Sequence, residues 1–411
     1  MSNPSWLLRP RSLGSVLAIL AFTPGLAFAQ DPAAPPAAPA PPESAPPTAP
    51  AAPAPAPAPA PAPVEQAKPK INYGVWFTVD SRFQNPKHPE KVDKAVSNAE
   101  VDLLFNGEVH KYFKWQADFV GTFGNPATDG GGGPVSVLDL IAKLELDDAF
   151  HVWFGRMLVP SDRANFSGVW FASPWYYPGI YGLQAGTGVY IGPAQGPHGR
   201  NDGATVWGQF LGGTFKYYAG VFNLHDPNST RFYSGRLNLS LINPEPGFYH
   251  NSTYYGSKDI LAIGVGAQFQ QRGSIGPAPV APLPGPAPTD DYSEFNADLL
   301  FEKSLGIGAL DLEGAFYTYG GEFRPLKYSY LALASYVFST VVGIGKLQPL
   351  VRVQQARVNN PTDDTWTSFE GQLGYVVDDF GAKLALGYQR IDVGGANGTG
   401  NAIYVGVQLK Q

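Results

Sequence analysis

Between residues 71 and 410 apolar and polar side chains alternate with a period of two. In Glu100–Val109 the apolar set is Val101, Leu103, Phe105 and Val109, and the opposing set holds Glu100, Asp102, Asn106 and Glu108. Phe113, Trp115, Ala117 and Phe119 oppose Lys114, Gln116, Asp118 and Thr122. Leu138–Leu146 repeats the pattern around Asp139, Lys143 and Glu145, and Leu237, Leu239 and Leu241 alternate with Arg236, Asn238 and Ser240. Successive side chains of an extended strand point to opposite faces, so this period predicts strands and excludes amphipathic helices.

The pattern predicts sixteen strands, at 71–83, 98–109, 112–123, 135–146, 150–158, 203–211, 214–222, 232–242, 258–271, 293–303, 307–319, 327–339, 346–358, 365–377, 381–393 and 401–410. Most run to ~10–13 residues. That exceeds the usual globular strand of ~5–6 and matches a tilted membrane-crossing strand of ~9–11. Short turns such as His110-Lys111, Asp147–Ala149 and Ser304–Gly306 alternate with longer Gly/Pro/Asn loops. An even strand count with short turns at one end and long loops at the other predicts an all-β fold, a transmembrane antiparallel barrel. The competing architecture is a soluble sandwich or propeller. Aromatic residues flanking the runs, among them Tyr73, Phe83, Tyr112, Tyr328 and Tyr388, suit belts at two membrane interfaces. Pro244–Ser257 breaks the rule, being long at the end where connections are short.

The loop after His151–Leu158 is about 43 residues long, well beyond ordinary connections. It is rich in Trp, Tyr and Gly (Trp170, Phe171, Trp175, Tyr176, Tyr177, Tyr181) and poor in charge, which argues for an ordered, functional loop.

Residues 1–29 read as a secretory signal: Arg9 and Arg11, an apolar Ser15–Ala29, and a small-x-small end at Ala27-Phe28-Ala29. Loss of the two arginines with this leader takes the formal net charge from −6 to −8. The segment 30–68 is dominated by Pro and Ala, which supports neither helix nor sheet. At ~3.1 Å per residue its ~33-residue Pro/Ala core reaches about 100 Å. It reads as a periplasmic linker, with peptidoglycan as a candidate partner. The barrel takes 69–411. The chain has no cysteine, so no disulfide supports it. The acidic balance disfavours nucleic acid as a partner.

Certain stretches resemble a known family. FGRMLVP, GRNDGATVWGQF with KYYAGVFN, and GRLNLSLINPEPGFY with STYYGSKDILAIGVGAQFQ are similar to strands of the phosphate-selective porin O/P family of Gram-negative outer membranes. LQPLVRVQ and AKLALGYQRI resemble generic porin strands. The resemblance spans 71–411. It implies a homotrimer of sixteen-stranded barrels in outer-membrane lipid, with the third external loop, placed at Val159–Asn201, folded into the lumen as a constriction. Three features depart from the family pattern. Leu158 stands where a basic residue is usual, the loop carries only Arg163 and Arg200 as bases, and the chain ends Leu409-Lys410-Gln411 without a terminal aromatic.

By the alternation, the inward bases are Arg82, Lys114, Lys143, Lys216, Arg236, Lys258, Arg272, Arg352 and Lys383. The inward acids are Asp80, Glu100, Asp102, Glu108, Asp118, Asp139, Glu145, Asp298, Glu302, Asp311, Glu313 and Glu370. They are expected to line a hydrated wall and pair across neighbouring strands, with a few setting ion preference. The candidate pore-lining and constriction residues are Asp162, Arg163, Arg200, Asp202, Lys114, Asp118, Arg82, Arg236, Arg352, Trp175 and Tyr176. Arg163 beside Asp162, and Arg200 beside Asp202, are expected to cancel. The six histidines lack metal-ligand spacing and read as solvated. Gly130–Gly133 and Gly394–Gly400 lack a phosphate-loop lysine and read as loop tips. No cofactor, metal site or catalytic group is expected. The function expected is passive diffusion of small hydrophilic solutes and ions, weakly selective. The alternatives are an anion- or phosphate-selective porin, and a non-conducting barrel serving as anchor or adhesin.

Overall fold

The computed structural model describes residues 71–86, 94–123, 135–181, 188–194, 196–225, 229–277, 286–393 and 398–411. The leader, the Pro/Ala linker, Gly130–Gly133 and 394–397 lie outside them.

Sixteen barrel strands follow in order: β1 (Ile71–Pro86), β2 (Lys94–His110), β3 (Phe113–Phe123), β4 (Val135–Asp147), β5 (Phe150–Leu158), β6 (Arg200–Phe210), β7 (Phe215–Phe222), β8 (Phe232–Ile242), β9 (Ile260–Ile275), β10 (Thr289–Ser304), β11 (Gly308–Gly320), β12 (Leu326–Phe338), β13 (Gly345–Val358), β14 (Thr365–Asp378), β15 (Ala382–Asp392) and β16 (Thr399–Lys410). A two-residue strand, Val341–Val342, pairs only with the start of β13 inside their turn. Each barrel strand pairs antiparallel with its sequence neighbours, and β1 pairs with β16 from Trp76↔Lys410 to Pro86↔Gly400. The sheet is therefore closed. A closed sheet has no edge, so every strand satisfies its backbone groups laterally, as a hydrocarbon surrounding demands.

The alternation fixes which face is which. On β13, Val351 is 62% exposed and its neighbour Arg352 is 3% exposed. Phe154, Phe369, Leu386 and Val405 join Val351 on an apolar outer surface, whereas Asp102, Lys216, Arg236 and Asp298 point inward and are buried. The expected strands match these closely. The main differences are longer strands at the loop end, such as β9 to Ile275 and β10 from Thr289, and an earlier start for β6, at Arg200.

The lumen departs from the expected hydrated wall. Ile141, Trp153, Trp207, Tyr218 and Phe222, inward residues of β4–β7, pack with Val159 and Phe166 of the long loop and Phe248 of the Pro244–Asp259 connection. Trp153 stacks on Phe248 at 4.3 Å between ring centroids, and Phe166 meets Phe248 edge-on at 5.1 Å. The protein thus holds an aromatic core inside its barrel, formed because β5–β7 carry large aromatic side chains on their inward face as well. Burial of such rings is worth about 1.5–3 kcal/mol each relative to exposure, which suffices to hold two connections in the lumen.

Candidate constriction site

The long loop leaves β5 at Leu158 and rejoins the wall at Arg200, its register partner. Its neck is closed by the Val159 amide donating to the Gly199 carbonyl (3.1 Å). Just inside lies a single helical turn, α1 (Arg163–Ser167), every residue of which is buried. Asp162 caps it, accepting from the Asn165 amide at 3.2 Å. Gly168 ends it with φ 57, a conformation that favours glycine.

Arg163 is fully buried. Its guanidinium donates from Nη1 and Nη2 to the two carboxylate oxygens of Glu245 at 2.9 and 2.8 Å. It also reaches the Asn251 carbonyl at 2.8 Å, and its backbone amide donates to Asp298 at 3.2 Å. Arg236 of β8 reaches over β9 to Asp298 of β10 (2.5 and 2.8 Å) and holds the Ser161 carbonyl at 3.1 Å. Gly264 on β9 makes that reach possible, because a Cβ there would stand 2.1 Å from an Arg236 nitrogen.

The expected local cancellations are corrected. Asp162 does not neutralise Arg163: it caps α1 and accepts from the Tyr317 hydroxyl at 2.5 Å. Arg200 bonds Asp139 through Nε and Nη2 (3.2 and 3.1 Å), while Asp202 faces Arg156 (3.4 Å) and His225 (3.0 Å). Arg200 and Asp202 share a face of β6 but stand two residues, about 6.6 Å, apart along it, and each finds a nearer partner on another strand. The charges do cancel, through acids distant in sequence.

A second group gathers Trp175, Tyr176, Arg82 and Arg352. The Tyr176 hydroxyl donates to Asp80 (2.6 Å), its carbonyl accepts from Arg352 (2.8 Å), and Arg82 lies over its ring. Arg352 is held by its cross-strand partner Glu370 (2.8 and 2.5 Å), as the alternation anticipated. The Trp175 amide donates to Gln372 at 2.8 Å, and its ring lies on Gly406, where a Cβ would meet it at 2.2 Å. Lys114 and Asp118 form a third group on β3. Lys114 pairs with Glu145 (2.6 Å), and Asp118 accepts from Gln116 (2.7 Å) opposite Asp139. Apart from Asp202, the sequence candidates thus form three clusters rather than one ring.

Several acids of the wall serve the inserted segments as well as neighbouring strands. Asp311 accepts from Ser173 (3.1 Å), Glu313 from Ser252 (2.6 Å), and Glu302 from Thr253 and the amides of Tyr254 and Gly256. Two further expectations are corrected. Lys258 and Arg272 sit at the barrel rims: Lys258 lies over the Tyr254 ring at 4.6 Å, and Arg272 is exposed with φ 55. His151 and His250 are buried rather than solvated: His151 stacks on Trp207 at 4.0 Å, and His250 lies between Tyr218 and Glu245. Their aromatic neighbours come from other strands, which local spacing does not reveal.

Glu245 was the residue that sequence reasoning missed. Its one signal was the excess length of the connection that carries it. No group of three or more His, Cys, Asp or Glu side chains among the described residues is arranged to hold a metal. The inserted segments leave the turn-end half of the β1–β4 arc wetter than the rest: Asn72 and Asn106 pair in an exposed position, and the Lys114 side chain is 39% exposed.

Solved structures share this barrel. A loop L8 deletion form of OmpT, an outer membrane protein of Vibrio cholerae, superposes with a TM-score of 0.55 at 14% identity, over 84% of this chain and 99% of that one. OmpT expressed in the outer membrane gives 0.53 at 13% identity, over 85% and 99%. Salmonella typhi OmpF, in a complex with daunomycin, gives 0.55 at 9% identity, over 83% and 97%. At such identities the likeness is one of fold: the chain shares the fold of these outer-membrane proteins. No protein-family model and no curated protein sequence matches it.

Proposed function

We propose that this chain is an outer-membrane porin that passes small hydrophilic solutes and ions by passive diffusion with weak selectivity, and that it performs no catalysis. The carrying observation is a closed barrel with an apolar exterior and a charged lumen narrowed by an inserted loop. On this reading the short-turn end faces the periplasm, as does the linker 30–68, and peptidoglycan is the linker's candidate partner. Assembly as a homotrimer rests on the resemblance to the O/P family. Phosphate selectivity has less support, because Arg163, Arg200, Arg236 and Arg352 each have a carboxylate in contact and present no free cluster of donors. Purified protein in a planar bilayer is expected to give small stepwise currents; a folded sample that never conducts overturns the proposal.

One observation favours the second reading, a non-conducting anchor. Large inward side chains of the wall, among them Lys216, Arg236, Tyr317 and Tyr404, are buried rather than open to water. Deleting Asp31–Val64 bears on it: a porin keeps its conductance and loses only cell-wall association.

A further inference from the structure

The connection Pro244–Asp259 is far longer than closure of its hairpin requires. At the same end, Asp147–Phe150, Ser304–Gly308 and Asp378–Ala382 join their strands within a few residues. Nor do the extra residues hang in solvent: Glu245, Phe248, His250, Ser252 and Thr253 are each at most 3% exposed. They meet the long loop, which enters from the opposite mouth. Arg163 of the loop clasps Glu245 with both carboxylate oxygens, and the Ser252 amide donates to the Phe171 carbonyl at 3.0 Å. The Ser173 amide in turn donates to the Ser252 hydroxyl at 3.3 Å.

A constriction built by one loop narrows a barrel from one mouth. Here the segments arrive from both mouths and bond at mid-lumen. We infer that Glu245 is a positioning residue for the constriction: it fixes Arg163, joins loop and turn into one two-sided plug, and thereby sets the cross-section left for solutes. Without Glu245 the buried guanidinium keeps Asp298, at 3.9 Å, and the Asn251 carbonyl, and must fill its remaining donors with water or another partner. Losing Glu245 therefore loosens the loop at its deepest anchored point and widens the path, while the closed sheet, whose hydrogen bonds do not involve Glu245, remains.

This inference rests on the porin reading, and conductance separates the two. Wild type, Glu245→Ala, Arg163→Ala, the double variant and the charge exchange Arg163→Glu with Glu245→Arg are compared in planar bilayers, using potassium chloride as the permeant salt. Heat-modifiable gel mobility verifies the barrel. The expected result is a severalfold rise in unit conductance for either alanine variant, no further rise in the double variant, and return toward wild type in the exchange. Unchanged conductance in a conducting Glu245→Ala protein overturns the inference and leaves the porin reading standing. A silent wild type beside a conducting Glu245→Ala overturns the porin reading and supports the plug, whereas silence in both overturns both. Should the alanine variants fail to fold, the chain's lack of native cysteine permits a second measurement. Ser173→Cys with Ser252→Cys, oxidised in the full-length protein, is expected to give an internally cross-linked monomer. Absence of that cross-link overturns the inference.

Discussion

Arg200 donates through Nε and Nη2 to Asp139, two strands away in the barrel, and makes no ion pair with Asp202, its near neighbour in sequence. Asp139 is itself the register partner of Asp118. Two carboxylates therefore face each other on the wall, and one arginine from the end of the constriction loop compensates them. Arg200→Ala is expected to leave both acids without that cation and to shift the reversal potential of a salt gradient toward cations, while the wild type shows weak preference and no submillimolar phosphate block. Strong anion preference in the wild type, or an unmoved potential in the variant, contradicts this charge arrangement.

A side chain at Gly264 is expected to displace the Arg236 guanidinium. A Cβ would stand 2.1 Å from the guanidinium of Arg236 and force it off Asp298, within the anchor of α1. Gly264→Ala is expected to destabilise the protein by about 1–3 kcal/mol, the usual range for overpacking. Gly371→Ala, where nothing lies within 4 Å of an added Cβ, serves as the near-neutral control. Unfolding midpoints in detergent compare the two, and equal midpoints contradict the clasp.

Tyr176→Phe removes the 2.6 Å hydroxyl donor to Asp80 while leaving the ring packed near Tyr404. The expected cost is about 1–3 kcal/mol, that of stripping a partner from a buried polar group. Noisier open-channel current should accompany it as the loop loosens. A variant as stable and as quiet as wild type would place the loop's anchorage elsewhere.

Asp363 lies in the connection between β13 and β14 and accepts from Arg357 (2.5 Å) and Lys327 (2.6 Å). These bonds hold its carboxyl at about 2, below the ordinary 3.8. Because the folded value is the lower one, the stabilisation is complete well above 3.8 and is lost as pH falls toward about 2. The difference in unfolding temperature between wild type and Asp363→Asn is thus expected to be constant near neutrality and to close across that acid window. A difference that persists at the acid end rules the ion pairs out as its source.

The sequence by itself determined the barrel. Where polar and apolar residues alternate, period two places a residue on a face wherever it stands in the chain, so the sixteen strands and outward residues such as Leu103 and Val351 were legible from the sequence. That Arg352 and Glu370 face inward on neighbouring strands was legible too; that they stand directly opposite each other came with the register of β13 and β14. Only the tertiary structure decided what fills the lumen. Trp153, Trp207 and Tyr218 sit inward on strands that are apolar on both faces, where alternation of hydrophobicity no longer distinguishes inside from outside. The pairing of Arg163 with Glu245 was illegible for a related reason: neither residue is on a strand, so no period fixes its direction. Their meeting depends on two connections entering from opposite mouths and being held by aromatic burial. Local pattern specifies faces; which charges cancel inside a closed barrel is set by distances that exist only once the barrel has closed.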